Sequence, residues 1–215
     1  MLIVGAKGFA KEILEVCHQN NDLENLVFFD NVSPDIDSKL YDKFPILKTF
    51  DEAKEYFKTS NNTFTLGLGN PILRFKLRKK FQQLGGVLVS TTSSFSQIGS
   101  YGIEFGKGCN IFSGSSISND VKIGDGGIIY FNTIITHDCM IGDYVEISPS
   151  ATILGRVSIG SFSQIGAGST ILPDVKIGEN VIVGAGSVVT KDIPDNSLVV
   201  GSPAKVIKEL EPINL

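Results

Sequence analysis

The chain has 215 residues with 19 Lys and Arg against 23 Asp and Glu, a net charge of −4 at pH 7. That length allows one large domain or two small ones, and without a dense basic run we expect no binding to nucleic acid. The apolar start MLIVGAKGFA is too short for a secretory signal, no stretch approaches membrane-spanning length, and the three cysteines fit reduced buried thiols, so we expect a cytoplasmic protein without a membrane partner.

Residues 1–86 alternate between strand-like and helix-like segments. The predicted strands cover residues 1–4, 26–29 and 63–68, and the predicted helices cover 9–20, 51–56 and 72–84. Strands that alternate with helices are typical of a small parallel sheet, so we predict an α/β, Rossmann-like domain.

A glycine-rich turn, Gly5 to Gly8, joins the first strand to the first helix. Such a turn can present backbone N–H groups to a phosphate, and Asp30, at the end of the second strand, sits where an acid often binds a ribose or a base. The full G-x-G-x-x-G pattern is absent because Lys7 takes a glycine place. A purely structural turn and a nucleotide site therefore both stay open.

Residues 87–203 repeat with a period of six. Each sixth residue from 111 to 189 is Ile or Val, Phe105 extends the row, and a small or compact residue follows four places after each of them. A period of six predicts a parallel β-helix in which three flat sides close each coil of about eighteen residues. The glycines that directly follow many of these residues are expected where the turning backbone needs conformational freedom. Residues 204–215 are expected to form a C-terminal tail.

His137 is the residue most suited to chemistry, since His18, the other histidine, is expected on a plain surface. It lies two places after Ile135, so its side chain should leave the prism. One coil of eighteen residues places Asn119 below it and Gly155 above it. The bare glycine should leave room for an elongated ligand, and an imidazole beside a free N–H suits a general base with an oxyanion donor.

Both halves of the chain resemble the hexapeptide-repeat acyltransferases, most closely the bacterial family of sialic acid O-acetyltransferases and UDP-amino-sugar N-acetyltransferases of surface-glycan synthesis. The resemblance lies in IVGAKGFAKEI, FFDN, GLGNPILRFKLR, THDCMIGDYVEISPSATILGRVSIG and GSPAKVIK. It implies left-handed coils, a homotrimer, acetyl-CoA as co-substrate, and a sugar or nucleotide-sugar acceptor held partly by the N-terminal domain. No metal site is implied.

Carried over to this sequence, the resemblance implies that His137 is the catalytic base. A carboxylate would hold its ring: resemblance favours Asp138, whereas the opposite directions of neighbouring strand side chains favour Glu146. The cofactor residues implied are Gly155 through its amide, Ala167 and Ala185 along the pantetheine arm, and Lys205 at the phosphates. The residues implied to contact the nucleotide are Gly5, Gly8 and Asp30.

Three positions depart from the pattern of this family. Phe9 and Glu146 replace histidines, and Tyr130-Phe131-Asn132 stands where Asn-Thr-Gly is usual. We expect an altered acceptor, with N-acetylation of a nucleotide-linked amino sugar as the leading prediction. Sugar O-acetylation and a non-catalytic trimeric β-helix remain as alternatives. NAD-dependent redox chemistry is disfavoured because the first domain is short and lacks the full glycine fingerprint.

Overall fold

The computed structural model describes residues 1–215, which divide into two units, Met1–Thr91 and Thr92–Leu215. The boundary between the units falls within the strand Thr91–Thr92, five residues after the predicted boundary at residue 86. None of the helices combines the length and the hydrophobicity that crossing a membrane requires.

The N-terminal unit is a six-stranded sheet with three helices. Its strands follow the order β3-β4-β2-β1-β5-β6, and all neighbours are parallel except β3 and β4. The elements are β1 Leu2–Val4, α1 Gly8–Gln19, β2 Val27–Phe29, β3 Lys39–Leu40, β4 Phe44–Leu47, α2 Phe50–Thr59, β5 Thr63–Leu66, α3 Pro71–Gln83 and β6 Val87–Leu88. The predicted strands and helices are all present, and the hairpin β3–β4 and the edge strand β6 were missed.

Local capping explains where two of the helices begin. Thr49 and Glu52 form a reciprocal capping box at α2, and the side chain of Asn70 accepts from the Leu73 N–H just before Pro71 opens α3. At α1 the cap residue is Lys7, which makes no side-chain capping bond. Among the three helices, α1 is therefore the only one whose N-cap residue makes no side-chain hydrogen bond to the first turn.

Aromatic residues fill the core of the N-terminal unit. Phe81 of α3 contacts Phe29 and Phe64, with ring centroids 5.0 and 5.6 Å apart, and Phe57 of α2 lies 6.1 Å from Phe64. These rings join two helices to the sheet, and each buried side chain of this size contributes about 1.5–3 kcal/mol. The sheet thus holds the carboxyl ends of β1, β2 and β5 in a fixed arrangement.

The second unit is the predicted parallel β-helix with three faces. The first face contains Thr91–Thr92, Asn110–Ile111, Ile128–Ile129, Glu146–Ile147, Gln164–Ile165, Ile182–Val183 and Ser197–Gly201. The second face contains Gln97–Ile98, Ser116–Ile117, Ile134–Ile135, Thr152–Ile153, Thr170–Ile171 and Val188–Val189. The third face contains Glu104–Phe105, Lys122–Ile123, Met140–Ile141, Ser158–Ile159 and Lys176–Ile177.

The repeated aliphatic residues form one continuous column inside the prism. Every member from Ile111 to Val189 is buried, together with the compact residues four places later. Neighbouring coils pair in register eighteen residues apart, as Ile135 does with Ile117 and Ile153. Each coil therefore buries its apolar residues only against the coils next to it.

The glycines after the aliphatic residues are needed for a reason other than the expected one. Gly142, Gly160, Gly166 and Gly178 do not have positive φ. A Cβ on Gly160 or Gly178 would instead lie 2.5 Å from a backbone nitrogen of the next coil. These positions therefore require glycine because successive coils approach closely, and the expectation of conformational freedom was wrong.

The positive φ values occur two residues later, at the turns. Asp120, Asn132, Asp138 and Asn180 have φ between 55° and 60°, and Gly126, Gly168 and Gly186 take the same conformation. Asn, Asp and Gly tolerate this left-handed region best. The turns thus explain the frequency of these residue types along the edges of the prism.

The C-terminal segment is not the expected tail. Ala204–Glu209 forms a strand that pairs antiparallel with Ser197–Gly201, with Lys205 opposite Val200. The pairing extends the first face by one strand beyond the last coil. The period of six ends before this hairpin, so the repeat could not predict it.

We expect Gly160→Ala to destabilise the β-helix, because the new Cβ would overlap the backbone of Gly178 and Glu179. The free energy of unfolding should fall by about 1–3 kcal/mol, as measured by urea denaturation. Gly168→Asn is the matched control, because a Cβ there meets nothing within 4 Å and Asn accepts positive φ. Equal stability of the two variants would contradict the close-approach explanation.

Candidate active site

His137 and Asp138 form a pair on the edge between the second and third faces. The Nδ1 of His137 lies 2.6 Å from the Oδ2 of Asp138, and both side chains are 53% exposed. Both residues lie in a turn, where the φ of 60° at Asp138 lets adjacent side chains point the same way. A carboxylate on Nδ1 orients the ring and leaves Nε2 to exchange a proton with a ligand.

Gly155 lies directly above His137, as the eighteen-residue coil predicts. The hydrogen bond from the Arg156 N–H to the His137 carbonyl sets this register between the two coils. The space over the glycine is not vacant, however. A Cβ on Gly155 would lie 2.7 Å from Cε1 and 2.8 Å from Nε2 of His137, so the imidazole itself occupies the room expected for a ligand. Glycine at 155 is thus what allows the ring to lean toward the next coil.

Glu146 does not hold the His137 ring within the chain. It lies on the strand Glu146–Ile147 of the first face, where its Oε1 accepts from Ser148 Oγ at 3.4 Å. The argument that favoured Glu146 assumed that His137 and Asp138 lie on a strand with opposite directions. They lie in a turn, and that geometric preference was wrong.

A charged ladder continues along the same edge. Arg156 lies one coil above Asp138. Its Nε and Nη2 donate to the Oδ1 and Oδ2 of Asp174 at 2.6 and 2.8 Å. The hydrogen bond from Arg156 holds the pKa of Asp174 below its ordinary value. Arg156 was not predicted from the sequence, although the spacing of eighteen between residues 138, 156 and 174 was a usable signal.

Ala167 and Ala185 stack on another edge, between the first and second faces. The Gly186 N–H donates to the Ala167 carbonyl at 2.8 Å, and both alanines are exposed. This edge presents almost bare backbone, a surface along which a linear amide-containing chain can lie. Lys205 is exposed on the C-terminal hairpin.

The two glycines of the glycine-rich turn differ in their surroundings: Gly5 is closely packed, whereas Gly8 faces open space. Gly5 has a φ of 116°, and a Cβ there would lie 2.4 Å from the Gly67 carbonyl oxygen. The Gly5 N–H donates to the Phe29 carbonyl at 2.8 Å, so this N–H is not available to a phosphate. Gly8 opens α1 with nothing within 4 Å of its Cβ position. A ligand at this turn would therefore meet the first turn of α1.

Asp30 orders the loop after β2. Its Oδ1 accepts from the Val32 and Ser33 N–H groups at 3.1 and 2.9 Å, and its Oδ2 accepts from Ser33 Oγ at 2.9 Å. Burial disfavours the carboxylate, but these hydrogen bonds and the nearby charge of Lys7 outweigh burial and keep the pKa of Asp30 below its ordinary value. Asp30 therefore stays ionised and shapes the loop beside the turn.

Two cavities flank the turn in the N-terminal unit. The smaller one, of about 180 Å³, lies at the carboxyl ends of β1 and β2 and is lined by Gly5, Asp30 and mainly apolar side chains. The larger one, of about 400 Å³, is lined by Ala6, Lys7, Lys11, Ser33, Pro34, Asp35, Ile36, Asp37, Lys39, Leu40, Tyr41 and Ile46. Ligands of open α/β sheets bind at such carboxyl ends. Lys7, which broke the glycine pattern, thus supplies a cation at the larger cavity.

The remaining reactive side chains offer no second centre. All three cysteines are buried, and burial raises the pKa of Cys17 to about 12 and raises that of Cys139. Cys109 donates to the carbonyl of Gly124 at 3.2 Å. No cluster of three or more His, Cys, Asp or Glu side chains is arranged to hold a metal ion. His137 is therefore the group best placed for proton transfer.

We expect the native protein to react negligibly with Ellman's reagent at pH 8 within minutes, because all three thiols are buried. Cys17, whose pKa burial raises to about 12, is ionised in only about one molecule in ten thousand at that pH. After unfolding in guanidinium, absorbance at 412 nm should report all three thiols. Rapid reaction of one native thiol would show that a cysteine is accessible and reactive.

Sequence comparisons with known families match both units. Residues 1–81 match the PglD N-terminal domain, and residues 156–191 match the bacterial transferase hexapeptide repeat. None of the curated proteins matches the chain in sequence. The two family matches confirm the expected fold class, an α/β Rossmann-like unit followed by a left-handed parallel β-helix.

Solved structures match over nearly the whole chain. A perosamine N-acetyltransferase from Caulobacter crescentus, in complex with CoA and GDP-perosamine, is 28% identical with a TM-score of 0.89 over 97% of this chain and 96% of its own. The acetyltransferase domain of PglB from Neisseria gonorrhoeae is 26% identical (TM-score 0.85, 96% and 98% covered), and WeeI from Acinetobacter baumannii is 28% identical (0.86, 96% and 98%). The chain shares the PglD-type N-terminal domain and the hexapeptide repeat with these acetyltransferases, which confirms the resemblance seen in the sequence and indicates an acyltransferase.

Proposed function

We propose that the protein transfers the acetyl group of acetyl-CoA to the amino group of a nucleotide-linked amino sugar in bacterial surface-glycan synthesis. The observation that carries this proposal is the His137–Asp138 pair, with Nδ1 held at 2.6 Å and the Nε2 side of the ring against the bare backbone of Gly155. The similar perosamine N-acetyltransferase from Caulobacter crescentus binds CoA together with GDP-perosamine, which supports the choice of both substrates.

In this mechanism the acceptor amine attacks the thioester carbonyl, and Nε2 of His137 removes a proton from the attacking amine. Asp138 stabilises the imidazolium that forms, and the ring then returns the proton to the departing CoA thiolate. The Gly155 N–H, which makes no hydrogen bond within the chain, can donate to the oxyanion. The products are the acetamido sugar and free CoA, and no further reactant is needed.

The N-terminal unit binds the nucleotide part of the acceptor in this proposal. The first turn of α1, from Gly8 on, lacks a side-chain cap and can receive a phosphate, with Lys7 and Lys11 adding positive charge at the larger cavity. Asp30 acts by holding the loop that contains Ser33. On the other unit, Ala167 and Ala185 line the pantetheine arm, and Lys205 contacts the cofactor phosphates.

The proposal predicts thiol release from acetyl-CoA when the purified protein meets one of a panel of UDP-, TDP- and GDP-linked 4-amino or 3-amino sugars. In His137→Ala we expect kcat to fall by about 10²–10⁴-fold, the usual contribution of a general base, while the Kd for acetyl-CoA stays nearly unchanged. Ellman's reagent can follow the released thiol, and calorimetry measures the Kd. Unchanged turnover in the variant would remove His137 from the mechanism.

Two further variants separate the base from its surroundings. Asp138→Asn keeps the size of the side chain but weakens the support of the ring, so kcat should fall by less than in His137→Ala. Gly155→Ala places a Cβ where the imidazole lies, so kcat should fall although every polar group is retained. Turnover only with a hydroxyl acceptor, such as free sialic acid, would indicate O-acetylation instead. Absence of cofactor binding would indicate a non-catalytic β-helix.

The assembly we propose is a cytoplasmic homotrimer. Three buried thiols fit a reducing compartment. The outward side chains of the second face are uncharged, for example Ser116, Ile134 and Thr152, whereas Glu104 and Lys122 form an ion pair on the third face. An uncharged face with an exposed Ile134 is the better contact surface for another copy.

We expect light scattering to give three times the chain mass of 23.1 kDa. Ile134→Glu should lower the mass, because association of the copies would then have to bury a carboxylate in the contact. Met140→Glu should leave it unchanged, because Met140, 59% exposed, lies on the outer side of the third face. The reverse result would move the contact to the third face.

A further inference from the structure

The edge that carries His137 continues in both directions with different side chains. The Asp138 N–H donates to the Asn119 carbonyl at 3.3 Å and the Asp120 N–H donates to the Tyr101 carbonyl at 3.0 Å. Asn119 is therefore one coil below His137 and Tyr101 two coils below it. With strands about 4.8 Å apart, the backbone of Tyr101 lies roughly 10 Å from that of His137.

The two directions differ in what they can bind. Above His137 the edge has Gly155, against which the imidazole leans, and then Pro173, which is flanked by the ion pair of Arg156 and Asp174. Below it are the amide of Asn119 and the phenol of Tyr101. In the upper direction Arg156 and Asp174 are already paired with each other, and the imidazole occupies the space over Gly155. A sugar ring, with its hydroxyl groups and apolar C–H faces, suits an amide and an aromatic ring.

Local contacts hold these two residues together at the edge. The Tyr101 N–H donates to the Oδ1 of Asn119 at 3.2 Å, so the amide oxygen is engaged and the NH2 group remains as the donor for a ligand. A Cβ at Gly99 would lie 2.5 Å from the same Oδ1, so the glycine makes room for this amide. The ring of Tyr101 nevertheless stays 74% exposed.

The direction of the His137 ring keeps this lower stretch of the edge open. The imidazole leans against Gly155, on the C-terminal side, and therefore does not cover Asn119. A ligand that reaches the ring from below passes over Asn119 and then over Tyr101. The length of this stretch, about two strand spacings, suits a single hexose with its substituents.

Building on the proposed acetyl transfer, we propose that Asn119 and Tyr101 form the platform for the sugar of the acceptor. The Asn119 NH2 donates to a sugar hydroxyl, and the ring of Tyr101 packs on a C–H face, which directs the amine to His137. Both are binding residues, and neither takes part in proton transfer.

Steady-state kinetics with the accepted sugar nucleotide test this platform. Tyr101→Ala should raise the KM for the acceptor by about 5- to 10-fold, the scale of one lost aromatic contact, and Tyr101→Phe should stay near wild type. Asn119→Asp keeps the oxygen that accepts from Tyr101 but loses the donor, and should raise the KM by a similar factor. In each variant the Kd for acetyl-CoA should not change.

Two controls make the result specific. Met140→Ala removes a comparable exposed side chain away from the edge and should leave the KM for the acceptor unchanged. The Ki of the free nucleoside diphosphate should also stay the same in Tyr101→Ala, because this residue contacts only the sugar. An unchanged KM for the acceptor in Tyr101→Ala and Asn119→Asp would overturn the platform. A lowered mass of either variant in light scattering would also overturn it, because the residue would then act in the contact between copies. If wild-type protein releases no thiol with any amino sugar, the proposed function itself fails.

Discussion

The close stacking of successive coils determines which residues are neighbours in the second unit. Backbone hydrogen bonds join residues eighteen apart, and Gly160 and Gly178 have no space for a Cβ against the coil above. The aliphatic column buries its side chains only while this spacing is kept. Any residue on an edge therefore has a fixed neighbour one coil away, and a catalytic group placed there inherits those neighbours.

His137 depends on this stacking in two ways. Gly155 lacks the Cβ that would displace the imidazole, and the turn below it gives Asp138 the positive φ that brings its carboxylate to Nδ1. The ring is thus positioned by backbone geometry more than by a network of side chains. Arg156 and Asp174 extend the same edge with charge, so the surroundings of the imidazole are polar and exposed.

The two units divide the chemical requirements of the proposed reaction. In that proposal the β-helix supplies a base, the edge of Ala167 and Ala185 for a linear cofactor, and a platform for a sugar. The N-terminal unit offers an uncapped helix start, cationic side chains at a cavity of about 400 Å³, and a loop held by Asp30. Gly5 packs closely against Gly67, and Lys7 takes the place of a glycine of the complete phosphate-binding fingerprint.

The sequence by itself determined the coil length, the buried column of the repeat, three strands and the three helices of the first unit, and the stacking of Asn119, His137 and Gly155. These follow from periodicity, which is a local property of the chain. Only the tertiary structure decided that Asp138 and not Glu146 holds His137, that the ring fills the space over Gly155, and that 204–209 adds a strand. Such features depend on turn conformation and on contacts between coils, and a repeat period specifies neither of them.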